Sequence, residues 1–388
     1  MISEKDKALI SILSESLKKD PVWKNEWDFL SESEIYAFGL KNNVSALLFR
    51  VLQKKTDMSD MMVVKNHAQN SVGYFYRLLQ ITAYAVNTLQ KAGLECFVLK
   101  GVCLSRYYHE PETRTFSDID ILIRDKQETA LAALEDVGFT LSNIETSKHH
   151  IPIKYEDVLL ELHVNLTSDF DNENANALVN DLVQNMSIRW ENVLGIDFPM
   201  ASEGQILCAV IIHMLQHFLT KGLGIKLLCD WVLILRNGIL DENAKSEYLN
   251  FVKNMHIKGF SDMVTCLCLK YLGLEEMEAD WLLVEQRSGE EEFFEDILMT
   301  GSFGNIEGRM VTARKPTFGG LLSEFHHQMK VNHPKASKCF LLWPVLWVVT
   351  FIVFMKNNKR LGRGSAMNIL ATAKKRGEMA QSVALWRE

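Results

Sequence analysis

What the sequence has little of narrows the field first. There is no Cys-x-x-Cys pair among its seven cysteines, at 96, 103, 208, 229, 266, 268 and 339. The count is odd, several lie inside apolar runs, and Cys266 and Cys268 would point to divergent faces of a helix. A disulfide framework and a cysteine-built zinc site are therefore excluded, and the thiols are expected to be reduced core residues of a cytoplasmic protein. Positive charge is also short: 42 Lys and Arg face 49 Asp and Glu, for a net charge of −7. That argues against a general nucleic-acid binder, whose affinity rests on neutralising phosphates. The opening Met1-Ile-Ser-Glu-Lys-Asp-Lys has no basic segment leading into a hydrophobic run, so no secretory leader is expected. The most apolar stretch, residues 340–355, falls short of the ~20 residues that span a bilayer as a helix. At 388 residues, 47% hydrophobic and 23% charged, the chain is ordinary globular material with room for two or three domains.

What is present centres on residues 96–125. An apolar run (Phe97, Val98, Leu99) meets Lys100-Gly101, a short helical pattern follows, a polar turn carries Arg114, and Asp118-Ile119-Asp120 opens a second apolar run. The order reads strand, phosphate-sized turn, helix, strand. Strand alternation sends Asp118 and Asp120 to one face and Ile119 and Ile121 to the core. Paired carboxylates on a rigid strand repel each other unless water or a divalent cation sits between them, and an oxygen-only donor set suits Mg²⁺. Lys100-Gly101 offers a point charge, a permissive backbone and the amides of a helix start to a triphosphate; a solvated strand end is the plainer reading. Arg114 would add a second cation to the nucleotide or pair with the acids.

Downstream, residues 158–166 alternate apolar side chains with Glu161, His163 and Asn165. Glu161 and His163 thus share the face opposite the core. If this strand lies beside the Asp118 strand, three carboxylates converge and can hold two metal ions about 3.5–4 Å apart, as in-line displacement at phosphorus requires. His149-His150 precede it in a loop, facing either phosphates and acceptor or solvent.

The order Leu99-Lys100-Gly101, Arg114, Ser117-Asp118-Ile119-Asp120-Ile121-Leu122-Ile123, then Leu160-Glu161-Leu162-His163 resembles a poorly characterised bacterial nucleotidyltransferase family of the DNA polymerase β-like superfamily. The resemblance is specific over about residues 90–166. It implies an α+β fold: a small mixed β-sheet core flanked by helices, with Asp118, Asp120 and Glu161 as the metal-binding and catalytic carboxylates. Most of the superfamily carries Gly-Ser at the first turn, and the subgroup with Lys-Gly matches this chain. In that subgroup histidines and a Leu-x-Asp segment follow in the helical part, matched here by His213, His217 and Leu228-Cys229-Asp230. His213 and His217 also have the one-turn spacing of zinc ligands, but no Glu follows His213 and no third ligand is evident, so contact with the nucleotide base or acceptor is favoured. Lys221, Lys226 and Asp230 are further candidates beside Lys100, Gly101, Arg114 and His163.

Three regions are expected: helices over 1–92, the nucleotidyltransferase core over 93–200, and a helical domain over 201–388. Helices are expected within 3–54, with Pro21 punctuating before Trp23, Trp27 and Leu30 resume the pattern, and over 58–92 up to Gly93. Lys126–Val137 reads as a helix, Phe139–Ile144 and Ile151–Tyr155 as strands, 187–199 as a strand pair around Gly195, and Ser202-Glu203-Gly204-Gln205 as a capping region. Gly301–Asn305 is a turn, and the acidic run at 290–296 a solvated helix face. Residues 340–355, with basic neighbours on both sides, are expected to be a buried helix or oligomer contact, ahead of a peripheral membrane helix. The expected activity is Mg²⁺-dependent transfer of a nucleoside monophosphate from an NTP such as ATP to the hydroxyl of a small molecule or protein, with two ions. The alternative is a non-catalytic nucleotide-binding sensor or assembly protein.

Overall fold

The computed structural model describes residues 2–55, 62–142, 150–170, 172–220, 222–301, 326, 329–330, 333, 336–360 and 377–386. His149, Lys221 and residues 302–305 lie outside them. The N-terminal helices are α1 (Glu4–Ser16), α2 (Glu32–Asn42), α3 (Ser45–Leu52) and the long α4 (Met62–Lys91). Ser31 starts α2 with a reciprocal capping box: its hydroxyl accepts from the Glu34 amide while the Glu34 carboxylate accepts from the Ser31 amide. That start leaves Trp23 to Leu30 no room for a helix of their own. Only a 3-10 turn forms, Asn25–Trp27, with Trp27 buried. α4 ends at Gly93, whose φ of +70° lets the chain reverse into the sheet.

The sheet consists of β1 (Phe97–Leu99), β2 (Asp118–Leu122), β3 (Thr140–Leu141), β4 (His150–Tyr155) and β5 (Val158–His163), in the order β1-β2-β5-β4-β3. Helix α5 (Lys100–Ser105) links β1 to β2, and α6 (Gln127–Glu135) follows β2. β2 and β5 are parallel and every other pair is antiparallel, so the fold is α+β with a mixed sheet. Of the expected 139–144 strand, Thr140–Leu141 pair at the sheet edge, and residues 143–144 lie outside the described residues. Glu156, at φ +55°, makes the tight β4–β5 turn that puts β5 in the middle of the sheet.

After α7 (Glu173–Gln184), the hairpin β6 (Arg189–Val193) and β7 (Ile196–Met200) turns at Gly195. Helices α8 (Glu203–Thr220), α9 (Ile225–Asn237), α10 (Glu242–Asn254), α11 (Lys258–Tyr271), α12 (Glu276–Ala279) and α13 (Glu290–Thr300) complete the helical part. Ser202 and Gln205 cap α8 reciprocally, the Gln205 amide donating to Ser202 Oγ at 3.4 Å and the Ser202 amide to Gln205 Oε1 at 3.3 Å. One hydrophobic cluster runs from α1 through the sheet to α13. In α13 Phe293 and Phe294 join it, and Asp296 is buried, unlike the solvated face its acidic run suggests.

The last described long helix, α14 (Trp343–Arg360), is not core. Its apolar side chains are largely exposed, which corrects the expectation of a buried C-terminal helix. Cys339 beside it is exposed too, whereas the other six cysteines are buried. Among the described residues no helix is long and apolar enough to cross a membrane.

Candidate active site

β2 and β5 run side by side in parallel with Asp120 opposite Glu161, Ile119 opposite Leu160 and Ile121 opposite Leu162. The alternation works as the residue types demand. Ile119, Ile121, Leu160 and Leu162 are buried in the core, while Asp118, Asp120, Glu161 and His163 face a cavity of 460 Å³. Helices close the opposite side: His213, Gln216, His217 and Thr220 from α8, and Lys226 from α9.

At its floor, Asp120 Oδ1 receives Lys100 Nζ at 2.7 Å and lies 2.8 Å from His163 Nε2, which is 3.4 Å from Glu161 Oε2. Burial by itself would raise the Asp120 pKa, but the Lys100 ammonium and the His163 ring hold it well below the ordinary range. Glu161 is likewise pulled down against its burial, chiefly by its hydrogen bond to His163. Burial and Lys100 lower the His163 pKa, yet its bonds to Asp120 and Glu161 carry it above normal. Asp118 moves the other way, raised by burial and then by the Asp120 charge beside it. Ligand atoms of Asp120, Glu161 and His163 lie within 4.8 Å of one another and form a group able to hold a metal ion. The expected trio had Asp118 in the place of His163. Asp118 Oδ1 accepts from Ser117 Oγ at 3.4 Å, whereas His163 Nε2 lies within reach of both Asp120 and Glu161.

Lys100 stands at φ +41°, a left-handed conformation costly for a side-chain-bearing residue and held here by the β1–α5 junction. The permissive backbone was expected at Gly101, which does not line the cavity. It is glycine for packing, because a Cβ there would sit 2.7 Å from the Phe116 ring. Phe116 in turn forms part of the cavity wall.

Arg114 lines the cavity but its guanidinium is committed. Nε and Nη2 donate to the two Asp230 oxygens at 2.7 and 2.9 Å, and Nη1 to the Gly101 carbonyl at 3.2 Å. Burial would lower the Arg114 pKa, but the Asp230 carboxylate more than reverses that. Asp230 also accepts from the Tyr108 hydroxyl at 2.8 Å and lies behind the cavity wall, not on it. Lys226 donates to the Thr115 carbonyl, and its pKa is brought down to about 8 by burial and by the nearby Arg114 charge. The His213 and His217 rings stack edge to face at 4.4 Å. Burial and the neighbouring Lys100 and His217 push the His213 pKa far below normal, so its ring is neutral.

Several lining residues carried no sequence signal: Asn43, Leu104, Ser168, Gln216 and Thr220 come from four separate segments. His150 does line the cavity, with Nε2 3.6 Å from Glu161 Oε1.

The profile of a family described as "Uncharacterised nucleotidyltransferase" matches residues 32–273, from the start of α2 through α11. Two solved structures are similar at a distance. One is an antigenic nucleotidyltransferase-like protein from Paracoccidioides brasiliensis, 13% identical over 54% of this chain and 93% of that one, with a TM-score of 0.34. The other is a candidate nucleotidyltransferase from H. pylori, 13% identical over 58% of this chain and 95% of that one, with a TM-score of 0.28. Scores this low support no inference about this chain. No curated protein matches it.

Proposed function

This chain belongs to the uncharacterised nucleotidyltransferase family, and from that premise we propose that it is a Mg²⁺-dependent enzyme moving a nucleoside monophosphate from an NTP to an acceptor hydroxyl. The observation that carries this reading is the pairing of Asp120 with Glu161 on adjacent parallel strands, at the wall of a cavity that also holds Asp118, Lys100 and Lys226. Carboxylates beside cations suit a metal-bound triphosphate.

The donor set fits a hard divalent cation. Three carboxylates supply oxygen ligands, and the Asp118 pKa is raised by burial and then by the Asp120 charge, both of which a bound cation would offset. The His163 nitrogen orients Asp120 and Glu161, and as a ligand it would extend the fit to Mn²⁺. Asp118 and Asp120 would hold both ions and Glu161 one. When bound, the ions offset triphosphate charge and lower the pKa of the acceptor hydroxyl. The acceptor oxygen attacks the α-phosphorus, the bond from that phosphorus to the β-bridging oxygen breaks, and pyrophosphate leaves. The hydroxyl proton passes to Glu161. Lys100 and Lys226 offset charge on the departing phosphates. Neutral His213, with His217, faces the base or the acceptor from the α8 wall.

The test is release of pyrophosphate from ATP and the other NTPs with Mg²⁺ over a panel of small-molecule and protein acceptors. Turnover that Glu161→Gln abolishes supports the proposal. Full turnover in that variant removes it. One observation favours a second reading, a non-catalytic nucleotide sensor: Lys100 and His163 both engage Oδ1 of Asp120, so the protein's own cations can balance that carboxylate. Saturable NTP binding with no pyrophosphate released over the whole panel would select it.

A further inference from the structure

Helix α14 is apolar on the side that faces outward. Its inward stripe is Trp343, Leu346, Trp347 and Thr350, at i, i+3, i+4 and i+7. The indole of Trp347 donates to His326 Nδ1 at 3.1 Å, and that of Trp343 to the Ser337 carbonyl at 2.8 Å. The opposite side carries Val345, Val348 and Ile352, between 46% and 61% exposed, and Leu341 in the turn just before the helix is 71% exposed. A water-facing helix reverses this arrangement, and an exposed apolar patch of this extent costs about 25 cal/mol per Å² left uncovered.

Charge identifies the covering. From Phe325 to Gly377 the sequence has ten lysines and arginines and no acidic residue, while the chain as a whole is at −7. Lys330, Lys335 and Lys338 precede the helix, and Lys356, Lys359, Arg360 and Arg363 lie at or beyond its end. A second copy of the chain would bring two such segments together, like against like. A spanning orientation fails on length, since the apolar part, residues 343–355, extends about 20 Å at 1.5 Å per residue against a hydrocarbon core of about 30 Å. An apolar face in a segment whose flanking sequence is basic suits the boundary of a negatively charged bilayer. We propose that α14 docks this protein on an anionic lipid surface, lying in the interface with Val345 and Val348 toward the acyl chains. The inference is independent of the reaction at the cavity.

Flotation of the full chain tests it, with vesicles of phosphatidylcholine alone and vesicles carrying phosphatidylserine in about a third of their lipid. The expected result is co-flotation with the anionic vesicles only, weakened at least about tenfold in ~1 M salt. The paired change Val345→Asp with Val348→Asp, at exposed positions that leave the interior untouched, abolishes flotation with the elution volume unchanged. Lys356→Glu with Lys359→Glu, which reverses charge and keeps every apolar residue, weakens it at least about tenfold. Failure of the wild-type chain to float, or flotation indifferent to lipid charge and salt, overturns the proposal. So does concentration-dependent self-association, lost in the valine variant, with no binding to vesicles; that result would assign the face to a second copy.

Discussion

Two ionic clusters meet at the cavity, and they differ in how completely they are satisfied. In one, Asp230 receives both forks of Arg114 and the Tyr108 hydroxyl, so the acid is fully engaged and shut away behind the wall. In the other, Lys100 and His163 converge on a single oxygen of Asp120, Glu161 meets the imidazoles of His163 and His150, and Asp118 adds further negative charge at the cavity wall. The first cluster is a clamp. It ties the turn before β2 to α9, and its geometry leaves nothing for a ligand. The second holds more acid than its partners can neutralise, an arrangement that costs stability unless something positive arrives.

Opposite responses to substitution would sharpen this contrast. The largest expected effect is on activity: Asp118→Asn should lower nucleotidyl transfer roughly a thousandfold. The same change should leave the melting temperature of the ligand-free protein unchanged or higher. The sign follows from the raised Asp118 pKa: the folded state binds the proton more tightly than the unfolded chain, so its carboxylate costs stability as pH rises above the ordinary aspartate range, and Asn removes that cost at pH 7. Added Mg²⁺ or Mn²⁺ should raise the melting temperature of the wild type and not that of the variant. A marked loss of ligand-free stability in Asp118→Asn would erase the distinction between the clusters.

At the clamp the order reverses. Asp230→Ala strands the buried Arg114 guanidinium and should cost about 3–5 kcal/mol in denaturant unfolding. Replacing both partners, Arg114→Met with Asp230→Leu, should recover much of that loss, because no unpaired charge remains. If the single variant keeps full stability and instead loses nucleotide affinity, Asp230 belongs to the site after all.

The sequence made the open cluster legible and the closed one only half so. Asp118, Asp120 and Glu161 stand out because strand alternation ties each polar residue to a face, and β2 and β5 are short and strongly patterned. Arg114 and Asp230 were each visible as charges, but their pairing joins residues 116 positions apart, and no local pattern carries that distance. Gly101 drew attention for its flexibility, yet the left-handed residue is Lys100, at the β1–α5 junction, and what Gly101 provides is room for the Phe116 ring. The helix 343–360 shows a different limit. Periodicity finds an apolar stripe but not whether it faces the core or the solvent, and here it faces out.

Lys226 lies between the two clusters and gives the smallest and most discriminating effect. It is close enough to Arg114 for that charge, added to burial, to bring its pKa to about 8, and it lines the cavity where the triphosphate is proposed to sit. The protonated amine is the form that attracts phosphate, and the anion in turn favours protonation. Affinity for an NTP should therefore be level below about pH 8 and decline above it, by at most about tenfold per pH unit, as free protein gives up the proton that the complex retains. Lys226→Arg keeps its charge throughout this range and should flatten the decline while preserving affinity at pH 7 to within a few fold. Calorimetric titration across pH 7 to 9.5 measures both. An unchanged slope in Lys226→Arg would place the titrating group elsewhere and separate Lys226 from the triphosphate.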